Sequence, residues 1–358
     1  MVHAESAFPA SIGGNSLRAR SRQIRHPQGP LLRTPLLIPS FSSKGFDLAL
    51  SPDGKTPISE VSQYLQVFAA SLTETFLVSA YDLHHELLER AKSLSPQNYS
   101  RSIWAHPKIL FIDSGLYEFR VGADSEEPVQ EMRLPQDWSE AEFSALVARL
   151  PKKAPIALVN WDRYESYRDQ IDAAQGFFAK HDQFLSVFLL KPEREGGTHE
   201  ISRLGADASR LAAFDVIGVT EKELGDSVLE RMTNVAKLHD LLVREQIEAP
   251  IHIFGALDPI YTPLYYAAGA EVFDGLSWLR YLWRDGVAMH RAALPVLLKM
   301  PDKDRRAAIE IAQSTNLDKI RALQRRLVNF WKTEGDWTVF NEHQEVLEDA
   351  FRDMESTL

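Results

Sequence analysis

The chain has 358 residues, 44% of them hydrophobic and 25% charged, with a formal net charge of -10 and no cysteine. That composition fits one large or two smaller globular domains. It excludes a protein that coats nucleic acid over its whole surface, though not a local basic patch, and it excludes disulfides and cysteine-ligated zinc or iron–sulfur centres. No apolar run reaches the roughly 18 residues of a membrane span, and no signal-peptide core opens the chain, so the expected location is the cytoplasm.

Residues 1–30 read as an irregular arm: Gly13-Gly14-Asn15, then Arg18, Arg20, Arg22 and Arg25, then Pro27-Gln28-Gly29-Pro30. Its arginines suit phosphate contacts or a solvated face, and composition favours the solvated face. From Thr34 a rhythm begins in which short apolar runs end in small or polar residues and amphipathic stretches follow. The runs are 35–39 (PLLIP), 76–81 (FLVSAY), 109–112 (ILFI), 156–159 (IALV), 184–190 (FLSVFLL), 214–219 (FDVIGV), 251–254 (IHIF) and 271–273 (EVF). Runs of this length fit parallel strands buried on both faces. Helical spacing fills 58–70, 84–94, 139–150, 164–180, 200–212 and 226–244. Eight strands alternating with helices predict an α/β fold, a (β/α)8 TIM barrel. A doubly wound open sheet would carry a glycine-rich phosphate turn after an early strand, whereas Gly45 and Gly54 stand alone.

After Gly286 the pattern turns helical over 287–299, 302–313, 317–331 and 344–354. The predicted layout is an arm over 1–30, a barrel over 31–300 and a helical C-terminal extension over 301–358 packed on the barrel. The extension holds the best basic patch of the chain: Arg305, Arg306, Lys319, Arg321, Arg325, Arg326 and Lys332.

A barrel of this kind gathers its strand C-termini at one rim, where chemistry resides. That rim would hold Asp82, Asp113, Ser114, Asp162, Lys191, Glu221, His252 or Asp258, Asp274 and Arg280. Each carboxylate alone can be a turn or helix cap; together they exceed what capping needs. Two carboxylates across such a mouth permit double displacement at an acetal-like carbon, one attacking and the other moving a proton. Metal binding is the competing use. Against it, no two of the aspartates have a local ligand spacing, and His84-His85 are adjacent and not i,i+4.

These residues resemble the tRNA-guanine transglycosylases and their DNA-acting relatives that insert 7-deazaguanine bases, over most of the chain from about Pro27 to about Phe340. HPQGPLLRTPLLIPSFSSKG is similar to the family's opening strand with TP-x-x-x-P, and FLVSAYDLHH to its second-strand segment. FIDSGLYEF is similar to DSGG-F/Y-Q, and FDVIGVTEKELG to GGLAVGE. IHIFGALDPIYTPLYYAAGAEVFDGLSWLR is similar to the segment ending in FD-C-x-x-P-x-R, and TNLDKIRALQRRL to the HNL helix. The resemblance implies Asp274 as the nucleophile at the ribose anomeric carbon and Asp113 as the acid/base for the incoming base. It implies Ser114 and Asp162 at the purine edge, Gly218 and Glu223 in the base-binding loop, and Arg280 as the arginine after the nucleophile. Lys191 or Leu190 stands where the family has a glutamine, and Leu116 replaces the second glycine of DSGG.

The family's structural zinc is held by three cysteines and the histidine of HNL; this chain has no cysteine and has Thr315 in the histidine slot, so no zinc or other cofactor is expected. The expected function is replacement of guanine in a polynucleotide, DNA or tRNA, by a 7-deazaguanine-type base through a covalent aspartyl-glycosyl intermediate. Arg325 and Arg326 would contact nucleic acid, and a homodimer or partner subunits would complete the assembly. Ser277-Trp278 after the nucleophile leans towards the DNA-acting branch. The alternatives are a non-catalytic partner subunit and a glycoside hydrolase-like barrel.

Overall fold

The computed structural model describes residues 17–50, 57–88, 91–119, 137–284 and 287–358; Gly13-Gly14-Asn15, Gly54 and Gly286 lie outside them. Eight parallel strands form a closed barrel: β1 (Leu36–Phe41), β2 (Thr75–Ser79), β3 (Ile109–Asp113), β4 (Ile156–Val159), β5 (Leu185–Leu189), β6 (Val216–Thr220), β7 (Ile251–Phe254) and β8 (Val272–Gly275). The ring closes where β8 pairs with β1, Asp274 opposite Ile38. The chain is therefore a (β/α)8 barrel, as its apolar runs predict.

Alternation along the strands explains how continuous apolar runs are used. Leu36, Ile38, Leu77, Ile109, Phe111, Val159, Val187, Val216 and Val272 fill the interior, while Leu37, Val78, Leu110, Ile112, Leu158 and Phe188 pack against the outer shell. Among the helices, Tyr167–Phe178 and Val228–Arg244 start at Ser166 and Ser227, whose hydroxyls accept the third helical N–H. Such caps are worth about 1 kcal/mol each.

Four local readings need correction. The stretch after β5 is a pair of 3-10 turns, Ile201–Leu204 and Ala208–Ala213, and not an α-helix over 200–212. Among the described residues of 84–94 there is only the end of a short helix, Ala80–His84, and a 3-10 turn at Ala91–Leu94. Residues 287–299 open as a strand: Val287–His290 pairs antiparallel with Tyr281–Arg284, and only Leu294–Leu297 is α-helical. Finally, 302–313 and 317–331 belong to one 28-residue helix, Arg305–Lys332. Thr315 lies within it, its hydroxyl donating back to the Ile311 carbonyl at 2.8 Å.

Asn316, fully buried, fastens this helix to the chain after β8. Its amide donates to the carbonyls of Trp278 and Tyr281, and its oxygen accepts from the N–H of Trp283 at 3.1 Å. Eight residues on, the oxygen of Gln324 accepts from the N–H of Leu37 at the start of β1. The helix thus runs from the strand C-termini to the strand N-termini.

The described part of the arm, from residue 17, carries more regular structure than its composition implies. Gln23–Arg25 pairs with Leu31–Arg33, and Ile24 and Leu32 plug the N-terminal end of the barrel beneath Leu36 and Val272. Arg18 and Arg22 are held in ion pairs, whereas Arg25 is exposed, as a solvated face requires. Arg18 bridges Asp240 and Glu355, and Arg22 pairs with Glu271 and Glu248, each at 3.4 Å. Glu271 is 1% exposed, and burial pushes its carboxyl up to about 7 despite Arg22 and Arg20.

A raised carboxyl contributes stability that is full below its unfolded pKa of about 4.3 and is lost as pH rises through 7. Relative to Glu271→Gln, the wild type should therefore lose on the order of 3 kcal/mol between pH 4 and pH 8. Urea denaturation of both proteins at the two pH values measures this, and parallel pH profiles would refute it.

Candidate active site

At the C-terminal rim the carboxylates gather as the barrel pattern predicts. Asp274, on β8, is 5% exposed. One oxygen accepts from the Ser40 hydroxyl of β1 at 2.7 Å. The other lies 3.1 Å from Nε2 of His252, on β7, and accepts from the N–H of Gly255 at 3.2 Å. Three neighbouring segments thus aim one carboxyl group.

Asp113 ends β3. Burial holds its carboxyl well above the ordinary carboxylate range, and the charges of Asp162, Glu118 and Asp274 push it further in the same direction against a hydrogen bond from the Ser114 N–H. The turn that presents it is tightly built. Gly115 has φ +87°, and a Cβ there would lie 2.5 Å from the Tyr81 nitrogen. The Trp138 indole donates to the Ser114 carbonyl at 3.0 Å. Glycine is required at 115 for both reasons.

A second chain of contacts runs round the rim from Asp113. The Ser114 hydroxyl donates to Asp162 at 2.6 Å; Asp162 is 3.4 Å from Lys191; Lys191 is 2.8 Å from Glu223 and donates to Thr220 at 3.1 Å; and the Tyr164 hydroxyl donates to Glu223 at 3.0 Å. Lys191 is 4% exposed. Burial would lower its ammonium, but Asp162 and Glu223 outweigh burial and raise it. Lys191 sits between the two carboxylates, in ion-pair contact with both, and braces them.

Other rim residues have structural duties. Gly218 lies within β6 and not in a loop. A Cβ there would meet the Phe254 ring at 2.6 Å, so glycine makes room for that ring inside the barrel. Asp258 caps Tyr261–Ala267, accepting from the N–H groups of Ile260 and Tyr261. Glu221 is taken by Arg231 and Tyr265. Asp82 anchors the β1 loop through the N–H and hydroxyl of Ser43. Arg280 donates to the Lys44 carbonyl at 2.6 Å, with its Nε buried and unpartnered. Arg325 and Arg326 follow Gln324, at the level where the strands begin, and are not brought to the rim.

Sequence reasoning missed Ser40 and Glu118. Glu118 is 3% exposed, accepts from the Ser79 hydroxyl at 2.7 Å, and is raised chiefly by burial. Ser79 is in register with Asp113, so aligning β2 with β3 places Ser79 beside it, but Glu118, on the short helix Leu116–Phe119 after β3, left no such signal. Among the described residues there is no cluster of three or more His, Asp or Glu able to hold a metal ion, and no helix is long and apolar enough to cross a membrane.

Neither a protein-family model nor a curated protein matches the chain.

Proposed function

We propose that this barrel is a base-exchange glycosyltransferase that replaces guanine in a polynucleotide, DNA or tRNA, by a 7-deazaguanine-type base. The observation that carries the reading is the contrast between two carboxyl groups at one mouth. Asp113 is driven by burial and by neighbouring negative charge towards its proton-carrying form, while Asp274 is oriented by three donors. Neighbouring carboxyls in unlike environments are the usual basis of an acid and nucleophile pair.

In the first half-reaction Asp274 attacks the anomeric carbon, the glycosidic C–N bond breaks, and the Asp113 proton passes to the leaving guanine. In the second, the Asp113 carboxylate takes the ring N–H proton of the entering base. That nitrogen then attacks the anomeric carbon and the aspartyl ester is released. The target nucleotide must leave its stack to reach the mouth. Asp162 offers acceptors for the donor edge of the base, and Lys191 and Glu223 hold it in place. No cofactor takes part in these steps.

One observation favours a second reading, a non-catalytic partner subunit. Ser114, Asp162, Lys191 and Glu223 already satisfy one another, and Phe254 fills the interior beside Gly218.

Incubation with labelled guanine and either unmodified tRNA or duplex DNA separates the readings. Exchange into one polynucleotide is the expected result; no incorporation into either, with activity appearing only beside a second subunit, would establish the partner role. Polynucleotide affinity should fall steeply with salt. If the strand also follows the Arg305–Lys332 helix, Arg325→Ala with Arg326→Ala should lower the log–log salt slope by about 2 without changing sequence preference. An unchanged slope would take that helix out of the binding surface.

A further inference from the structure

The two oxygens of Asp274 are not equivalent. Oδ1 has two contacts, Nε2 of His252 at 3.1 Å and the N–H of Gly255 at 3.2 Å, whereas Oδ2 has one, the Ser40 hydroxyl at 2.7 Å. A carboxylate oxygen has two in-plane lone pairs. Those of Oδ1 are both engaged, and one of Oδ2 is open.

His252 is itself unusual. It is fully buried, its ring stacks on Phe254 with centroids 3.9 Å apart, Phe111 meets it edge-on at 6.1 Å, and Nδ1 has no hydrogen-bond partner. Facing a carboxylate with one nitrogen and aromatic rings with its surroundings, the imidazole gains most by carrying its proton on Nε2. A buried acceptor is thereby left unsatisfied, a cost of about 1–3 kcal/mol. A leucine or phenylalanine would fill the interior without that cost, so packing alone does not account for the histidine.

We propose that His252 is a positioning residue that, with Gly255, anchors Oδ1 of Asp274 and leaves Oδ2 as the atom that bonds to the sugar. In the step, the free Oδ2 lone pair forms the C–O bond as the C–N bond breaks. The electron pair leaves with the base, which takes the Asp113 proton, and Oδ1 becomes the ester carbonyl oxygen, still accepting from His252 and Gly255. The attack rests on the exchange reading; the anchoring contact does not.

The test therefore has two arms. In the first, 15N-histidine NMR of the wild-type protein and of Asp274→Asn should show the His252 ring protonated at Nε2 and bare at Nδ1 in the wild type, with the Nε2 signal moving in the variant. An Nδ1-protonated ring, or a signal indifferent to Asp274→Asn, would overturn the proposal whether or not the protein is an enzyme. In the second, His252→Gln places an amide donor near the Nε2 position and His252→Leu removes it. Covalent adduct formation with polynucleotide should slow about 100-fold in His252→Leu with little change in KM, the scale expected when a reacting group is misplaced by about 1 Å, and recover to within about 10-fold of wild type in His252→Gln. Equal rates in wild type and His252→Leu, or equal losses in both variants, would refute the positioning role. Absence of any adduct from the wild type, with the NMR result as expected, would count against the exchange reading and leave the anchoring contact standing.

Discussion

Asp274→Asn should release no guanine and form no covalent adduct with DNA or tRNA, a loss of several orders of magnitude in rate. An amide does not attack the anomeric carbon, and removal of an essential covalent step is among the largest effects a single substitution produces. The fold should persist, because asparagine can still accept from Ser40 or from Gly255 and His252 at nearly the same positions. Rate and stability are to be read on the same preparation, by guanine exchange and by thermal melting. Wild-type exchange from Asp274→Asn would exclude this residue as the nucleophile, and a collapsed melting transition would mean that Asp274 holds the barrel together.

Asn316→Ala should produce the opposite pattern, a large loss of stability with the rim carboxylates untouched. The substitution strands two carbonyls, of Trp278 and Tyr281, and the N–H of Trp283 in a site where Asn316 is fully buried. Each orphaned buried group costs about 1–3 kcal/mol, so three sum to about 3–9 kcal/mol, with relaxation favouring the lower end. Denaturant titration measures it. A change under about 1 kcal/mol would show that water or a shifted backbone replaces all three bonds. Asn316→Asp should also be destabilising, because its carboxylate can accept from Trp283 but cannot donate to the two carbonyls.

The barrel was legible because eight strands buried on both faces leave continuous apolar runs, each followed by a small or polar residue and an amphipathic stretch. The helices were read less well where tertiary contacts override propensity. Val287-Ala288-Met289-His290 carries no alternation strong enough to announce a strand, yet it is the partner that Tyr281–Arg284 needs. The available signal was Asp285-Gly286 between the two runs, a dipeptide favoured in short hairpin connections. At the rim, Asp113 and Asp274 could be found because each follows a buried run. Ser40 could not, being one serine among Ser40, Ser42 and Ser43. Nor could the role of His252 as the partner of Asp274: the barrel makes β7 the neighbour of β8, but nothing in the order of residues fixes the register that brings this side chain to Asp274. Lys191 was placed correctly but its duty was hidden, because an ion pair between β5 and β6 depends on separations that no spacing encodes.

The closure of β8 against β1 joins segments more than 230 residues apart. During synthesis, the Leu36–Phe41 edge must wait for the last barrel strand to emerge, and until then it is an unpaired apolar strand able to pair with another nascent chain. The same joint assembles Ser40 with Asp274. A fragment that ends before Val272 would therefore lack both Asp274 and the cover for its first strand, and its characteristic fate would be aggregation.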